Sequence, residues 1–116
     1  DIPTFEKTQE HEQTEKEALD GLLRELPKAL YQEFTALLAE MEALQTREAQ
    51  VYKALDKLEA VIQHNESDIS TWLPLEYELQ KTYAAKSVLG FPFLEKLQEQ
   101  AVKDTDEKIR QKEEYQ

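Results

Sequence analysis

The apolar residues of this 116-residue chain recur at helical spacing in several separate segments. Residues 12–25 repeat leucine and alanine at steps of three and four behind a glutamate-rich start, which suits the positive end of a helix dipole. Pro27 breaks this pattern and can serve as the first residue of a second helix. The stripe of the second helix is strongly periodic and consists of Leu30, Phe34, Leu37, Leu38, Met41 and Leu44. Residues 1–11 have no such period and are predicted to form an irregular lead-in.

A third helix is predicted to begin after Thr46, whose hydroxyl can cap it. Its apolar positions follow one another at steps of four, three and four, which predicts one narrow buried face. That face consists of Val51, Leu55, Leu58 and Ile62. Asp56, Glu59 and Gln63 lie together on its flank. The third helix is therefore predicted to carry carboxylates along the edge of a buried surface.

The helical period is lost at residues 64–68, which include turn formers and are predicted to be a loop. Residues 75–83 fit either a short helix or an aromatic-rich connection. Pro92 can open a last helix, and the polar tail from Lys103 onward can extend it. The apolar positions of this helix are Phe93, Leu94, Leu97, Ala101 and Val102. The whole pattern predicts an all-α helical bundle, with residues 1–116 forming a single domain.

The composition narrows the classes of function. The chain has 14 Lys and Arg against 25 Asp and Glu, and this acidic surface repels phosphate backbones, so nucleic-acid partners are not expected. The absence of cysteine excludes disulfides, thiolate metal ligands and a cysteine nucleophile. No apolar run is long enough to span a membrane, and no signal peptide is evident. A cytoplasmic protein without membrane contacts is therefore expected.

Residue spacing alone identifies no catalytic site. Asp56 is open to three interpretations, namely a solvated carboxylate, a partner of Lys53 or Lys57, or a ligand for a hard divalent cation. The separation of His11 and His64 matches no metal-ligand spacing, and His64 is expected to complement a helix end. The aromatic residues fit either a ligand pocket or core packing. These residues are Trp72, Tyr77, Tyr83, Phe91 and Phe93.

The third helix and the segment after it resemble a known family. Residues 53–66 read KALDKLEAVIQHNE, and residues 70–74 read STWLP. These segments resemble the C-terminal half of the HD-domain metal-dependent phosphohydrolases, in particular the small branch of the bacterial 5'-deoxynucleotidases and their eukaryotic relatives. The opening Asp1-Ile2-Pro3 and the Leu26-Pro27 break resemble the same branch in the same order. The resemblance covers essentially the whole chain and implies the C-terminal portion of an HD-domain fold.

The resemblance also implies roles for individual residues. Members of the family bind a divalent cation through an early His, an adjacent His-Asp pair and a distant Asp, and Asp56 matches the distant Asp. Asp1 matches an acidic residue that follows the His-Asp pair and is implicated in catalysis. Glu59 matches a position that is commonly acidic in this branch. The early His and the His-Asp pair would lie upstream of Asp1, so the chain is expected to be a partial HD domain with an incomplete metal site and no activity alone.

For the intact parent, the resemblance implies hydrolysis of nucleoside 5'-monophosphates or similar small phosphoesters with Mn, Co, Mg or a similar cation. The expected partner of the chain is a second copy in a homodimer or the missing N-terminal segment. The alternative is a non-catalytic helical module for protein–protein interaction, in which Asp56 is simply solvated. The two hypotheses differ at the third helix, because only the enzyme needs Asp56 aimed at an open cleft beside Asp1.

Overall fold

The computed structural model describes residues 8–114, and within this range all regular structure is helical. The α-helices are α1 (Gln9–Leu23), α2 (Lys28–Ala43), α3 (Arg47–Glu66), α4 (Glu76–Thr82) and α5 (Pro92–Glu114). A short 3₁₀ helix, Ile69–Thr71, lies between α3 and α4. The prediction of an all-α fold is confirmed. None of these helices is long and apolar enough to cross a membrane. The chain divides after Ala49 into two compact units.

The first helix begins earlier than its apolar pattern predicts. The backbone N–H of His11 donates to Thr8 Oγ1 at 3.3 Å, and the Thr8 N–H donates to His11 Nδ1 at 3.2 Å. This reciprocal capping box satisfies donors that the first turn of a helix leaves without partners. Residues 9–11 are therefore helical, and the predicted irregular lead-in is wrong for them.

In the first unit, α1 and α2 form a hairpin held by polar contacts. Asp20 accepts a hydrogen bond from Arg24 Nε at 2.7 Å and another from the Tyr31 hydroxyl at 3.0 Å. Neither helix buries a residue, although the α2 stripe is periodic. Five of its members are between 36% and 46% exposed, namely Leu30, Phe34, Leu37, Leu38 and Leu44. The periodicity predicted this helix but not its burial.

The hairpin is expected to lose stability in acid because of Asp20. The hydrogen bond from Arg24, and then the one from Tyr31, lower the pKa of the Asp20 carboxyl below its ordinary value. A carboxyl with a lowered folded-state pKa stabilises the fold above its unfolded pKa of about 4, and the benefit disappears as the pH falls through the folded pKa. In thermal melts followed by circular dichroism, the melting temperature of the wild type should exceed that of Asp20→Asn at pH 7. The two melting temperatures should converge near pH 2. A constant difference would contradict this prediction.

In the second unit, α3 packs against the segment from α4 to the start of α5, and against α5 itself. The buried apolar core consists of Ala54, Leu58, Val61, Ala84, Val88, Leu94 and Ala101. The predicted buried face of α3 is therefore partly wrong. Ala54 and Val61 replace Leu55, which is 47% exposed, and Ile62 is only half-buried. The buried face of α3 is rotated from the predicted one because the helix packs both against the segment after α4 and against α5. The small Ala54 side chain allows close packing there.

A polar network ties the three helices of the second unit together through Asn65. Its Nδ2 donates to the Ala101 carbonyl at 3.1 Å. Its Oδ1 accepts from Gln80 Nε2 at 3.1 Å and from the Thr105 hydroxyl at 2.8 Å. Gln80 and Thr105 are fully buried, so these bonds form away from solvent. Asn65 itself is half-buried, and its three hydrogen bonds fix the register of α3 against both α4 and α5.

We expect Asn65→Ala to destabilise the second unit by roughly 2–4 kcal/mol, because it leaves the buried Gln80 amide short of a partner and opens a small cavity. Urea unfolding followed by circular dichroism measures the free energy of unfolding. The control is Gln63→Ala, an exposed position of the same helix, which should change it by less than about 0.5 kcal/mol. Equal effects of the two substitutions would show that the network contributes nothing.

Candidate functional site

Asp56 lies in the middle of α3 on an exposed position. Within residues 8–114 its carboxylate has no hydrogen-bond or ion-pair partner. Lys57 instead lies over the Tyr83 ring, with its Nζ 5.3 Å from the ring centroid. Of the three interpretations of Asp56, the structure therefore leaves the solvated carboxylate and the metal ligand. Asp1, the predicted catalytic residue, lies outside the described residues.

Beside Asp56, the surface of α3 forms a shallow groove with α5, with a volume of about 290 Å³. Its apolar floor consists of Leu55, Leu58, Ile62 and Leu97, and its polar lining of Glu59, Gln63 and Glu66. We call this surface the acidic groove. Glu59 and Gln63, which the sequence placed on one flank of α3 with Asp56, both line it.

At the end of α3, His64 is part of a second polar cluster. Its Nε2 contacts Glu76 Oε2, and its ring stacks on Trp72 with the ring centroids 4.7 Å apart. The other carboxylate oxygen of Glu76 accepts from the backbone N–H of Leu73 at 3.1 Å. The indole N–H of Trp72 donates to Ser67 Oγ at 3.2 Å. This cluster joins the last turn of α3 to the first turn of α4.

The His64 cluster corrects two predictions. The helix continues through Glu66, so the predicted loop at residues 64–68 begins only after it. His64 does lie in the last turn of α3, but its side chain pairs with α4 instead of only complementing the helix end. Sequence reasoning missed Glu76, which is 7% exposed. No local pattern marks it, because its burial depends on how the chain turns between the two helices.

The aromatic residues of the second unit mostly serve packing. Trp72 is buried and meets Tyr77 edge to face, with the ring centroids 5.5 Å apart. Tyr83 and Phe91 pack against the apolar core, whereas Phe93 is 79% exposed. The lining of the acidic groove contains no aromatic residue. For Trp72, Tyr83 and Phe91, core packing is therefore the correct alternative.

The donor groups determine how well this part of the chain fits a metal ion. Among residues 8–114, no three His, Cys, Asp or Glu side chains come together in a group that could hold a metal. Asp56 has suitable chemistry, because an exposed carboxylate on a well-packed helix is a hard oxygen donor, and Glu59 and Glu66 of the same helix are exposed as well. The described residues thus fit one ligand of a metal site but not a complete set.

An all-α fold with an exposed carboxylate, Asp56, on its third helix is compatible with metal-assisted hydrolysis. A family model for the HD domain matches residues 1–108 of the chain. The chain therefore belongs to the HD domain family, whose members generally bind divalent metals and indicate metal-dependent phosphohydrolase chemistry. The helical fold described above is consistent with such a domain. No curated protein and no solved structure matches the chain.

Proposed function

We propose that this chain is part of a divalent-metal-dependent phosphohydrolase of the 5'-deoxynucleotidase-like branch, cleaving nucleoside 5'-monophosphates or similar small phosphoesters. The observation that carries the proposal is Asp56. By resemblance it matches the distant metal-binding Asp of the family, and within the described residues its carboxylate is exposed and without a partner.

In this proposal Asp56 supplies one oxygen ligand and α3 holds it in place. The opposite side of α3 is buried through Leu58 and Val61, and Asn65 fixes its register, so the Asp56 backbone is well supported. Asp1 would position or deprotonate the attacking water, or assist the leaving oxygen. When bound, a cation such as Mn, Co or Mg supplies Lewis acidity and lowers the pKa of a water ligand.

The remaining ligands are proposed to come from another segment. The sequence has two histidines, and neither is followed by aspartate, so the His-Asp pair of the family is not within it. A hard cation held by one carboxylate exchanges freely with water. We therefore propose that the 116-residue chain is inactive alone, and that the complete protein is a cytoplasmic enzyme.

The test is hydrolysis by the complete gene product. Phosphate release would be measured from the nucleoside 5'-monophosphates, the matching 3'-monophosphates and p-nitrophenyl phosphate, before and after chelation. We expect activity on the 5'-monophosphates that EDTA abolishes and that Mn, Co or Mg restores. A metal-loaded protein that hydrolyses none of these compounds would reject the proposal, and so would activity that persists in EDTA.

A non-catalytic interaction module remains a second candidate, and one observation favours it. Helices α1 and α2 bury no residue and expose leucines along the hairpin, as a surface that binds a partner would. The metal titration separates the two candidates. An interaction module binds no divalent cation through Asp56, so calorimetry with Mn on the complete protein would show no difference between wild type and Asp56→Asn.

A further inference from the structure

Lys53 lies one helical turn before Asp56 on α3. Residues three apart on a helix are neighbours on its surface, with roughly 5–6 Å between their Cβ atoms. Asp56 is exposed and Lys53 is half-buried. A half-buried lysine lays its aliphatic stem against the protein and keeps its ammonium group in water. Lys53 therefore holds a positive charge beside Asp56 with less conformational freedom than a fully exposed lysine has.

Lys53 and Asp56 do not pair with each other. Within residues 8–114, neither the ammonium group nor the carboxylate has a hydrogen-bond or ion-pair partner. Elsewhere in the chain a lysine does pair with a carboxylate, since Lys81 Nζ lies 2.9 Å from Asp106 Oδ1. The positive and the negative group on this side of α3 are thus both available to a ligand from outside the described residues.

The other basic residues of α3 are placed differently. Lys57 lies over the Tyr83 ring, with its Nζ 5.3 Å from the ring centroid, so its charge is directed at an aromatic face. Arg47 is the first residue of α3, roughly 14 Å from Asp56 along the axis at 1.5 Å per residue. Lys53 is therefore the basic residue of this helix that is close to Asp56 and has no partner among the described residues.

An anionic substrate needs such a cation in this protein. The chain has a formal net charge of -11, and a phosphate monoester carries about -1.5 to -2 at pH 7, so the surface as a whole repels it. Asp56 and the nearby Glu59, both exposed, add to that repulsion. A lysine ammonium group has three donors and binds phosphate oxygens as a compact point charge. Lys53 can thus offset the repulsion next to Asp56.

We propose that Lys53 binds the phosphate group of the substrate beside Asp56. This inference rests on the proposed function and deepens it, because it assigns a residue that determines the class of phosphoester. The ammonium group donates hydrogen bonds to the non-bridging phosphate oxygens and transfers no proton. It favours phosphomonoesters, which carry about two negative charges near neutral pH, over phosphodiesters, which carry only one.

The test compares Lys53→Met with wild type in the complete protein. Methionine keeps an unbranched apolar stem and removes the charge. The KM for nucleoside 5'-monophosphates and the inhibition constant of inorganic phosphate should both rise about 10- to 100-fold, as for loss of a hydrogen bond to a charged group. The kcat should stay within about threefold, and inhibition by the uncharged nucleoside should not change. Lys53→Arg keeps the charge and should recover most of the lost phosphate binding.

The matched control is Lys57→Met, because Lys57 is also half-buried on α3 but lies over Tyr83. It should leave the KM and the inhibition constant of phosphate within about twofold of wild type. Lys53→Met should also keep its full metal content, unlike Asp56→Asn. An unchanged inhibition constant for phosphate in Lys53→Met overturns the proposal. So does loss of metal from Lys53→Met, because Lys53 would then act through Asp56 and not on the phosphate.

A binding measurement distinguishes failure of this proposal from failure of the proposed function. If the complete protein hydrolyses no phosphoester, the proposed function is wrong, and calorimetry with inorganic phosphate then tests Lys53 separately. Phosphate binding that Lys53→Met weakens about tenfold or more, and that Lys57→Met leaves unchanged, would still assign an anion site to Lys53. A complete protein that binds no phosphate, or that binds it equally well after Lys53→Met, overturns the assignment.

Discussion

Asp56→Asn is expected to lower kcat/KM for phosphoester hydrolysis by the complete protein by roughly a hundredfold or more, and to lower its metal content. Loss of a residue that merely orients a metal ligand costs about 10- to 100-fold, so loss of a charged ligand itself should cost at least as much. Asparagine has the size of aspartate but no negative charge. Because Asp56 is exposed and has no partner in the described part of the chain, the free energy of unfolding should change by less than about 0.5 kcal/mol.

The matched control for this substitution is Asp104→Asn on α5. Asp104 is also exposed, and its Oδ1 accepts a hydrogen bond from Gln100 Nε2 at 2.8 Å that an asparagine oxygen can still accept. The control should keep full metal content and turnover. Metal analysis, steady-state kinetics and thermal melts would be recorded for the three proteins. Retained metal together with unchanged turnover in Asp56→Asn would remove Asp56 from the site.

His64→Leu is expected to have the largest effect on stability, about 3–5 kcal/mol. The Glu76 side chain that contacts His64 Nε2 is only 9% exposed, so removing the imidazole leaves a buried carboxylate without this polar partner. The remaining hydrogen bond, from the Leu73 N–H, does not offset that cost. Leucine keeps an apolar contact with Trp72, so lost packing contributes little. Urea unfolding measures the change directly.

A double-mutant cycle separates the ion pair from the packing around it. His64→Leu combined with Glu76→Leu removes both polar side chains, and replacing a buried polar pair with apolar residues is often neutral or stabilising. The double variant should therefore recover most of the stability that His64→Leu loses. If the two losses simply add, the pair is not coupled, and the ion pair contributes nothing beyond its separate side chains.

The starts of α2, α3 and α5 followed from local chemistry. Pro27 and Pro92 mark the starts of α2 and α5, and the Thr46 hydroxyl accepts the Ala49 N–H at 3.1 Å at the start of α3. These signals can be read from the sequence because they act within one helical turn. The start of α1 was not predicted, because its capping box uses His11 in place of the usual Glu or Gln and so lacks the familiar sequence pattern.

The candidate site could be predicted only in part. Asp56 was identified because it matches a family motif, and no residue spacing distinguished it from a solvated carboxylate. Its exposure and lack of a partner in the described residues depend on which side of α3 packs against the rest of the second unit. The pairing of His64 with Glu76 joins residues 12 positions apart across a turn, and such a contact has no signature along the chain.

The sequence by itself determined the helical class, the starts of α2, α3 and α5, and the acidic character of the chain, because propensity, capping and charge are local properties. Only the tertiary structure decided which side of each helix is buried. Apolar residues at a period of 3.6 predict a stripe along a helix. Which residues of that stripe become buried depends on how the neighbouring helices pack against it. For this reason Ala54 and Val61 entered the core of α3 while Leu55 stayed outside, and the periodic stripe of α2 remained on the surface.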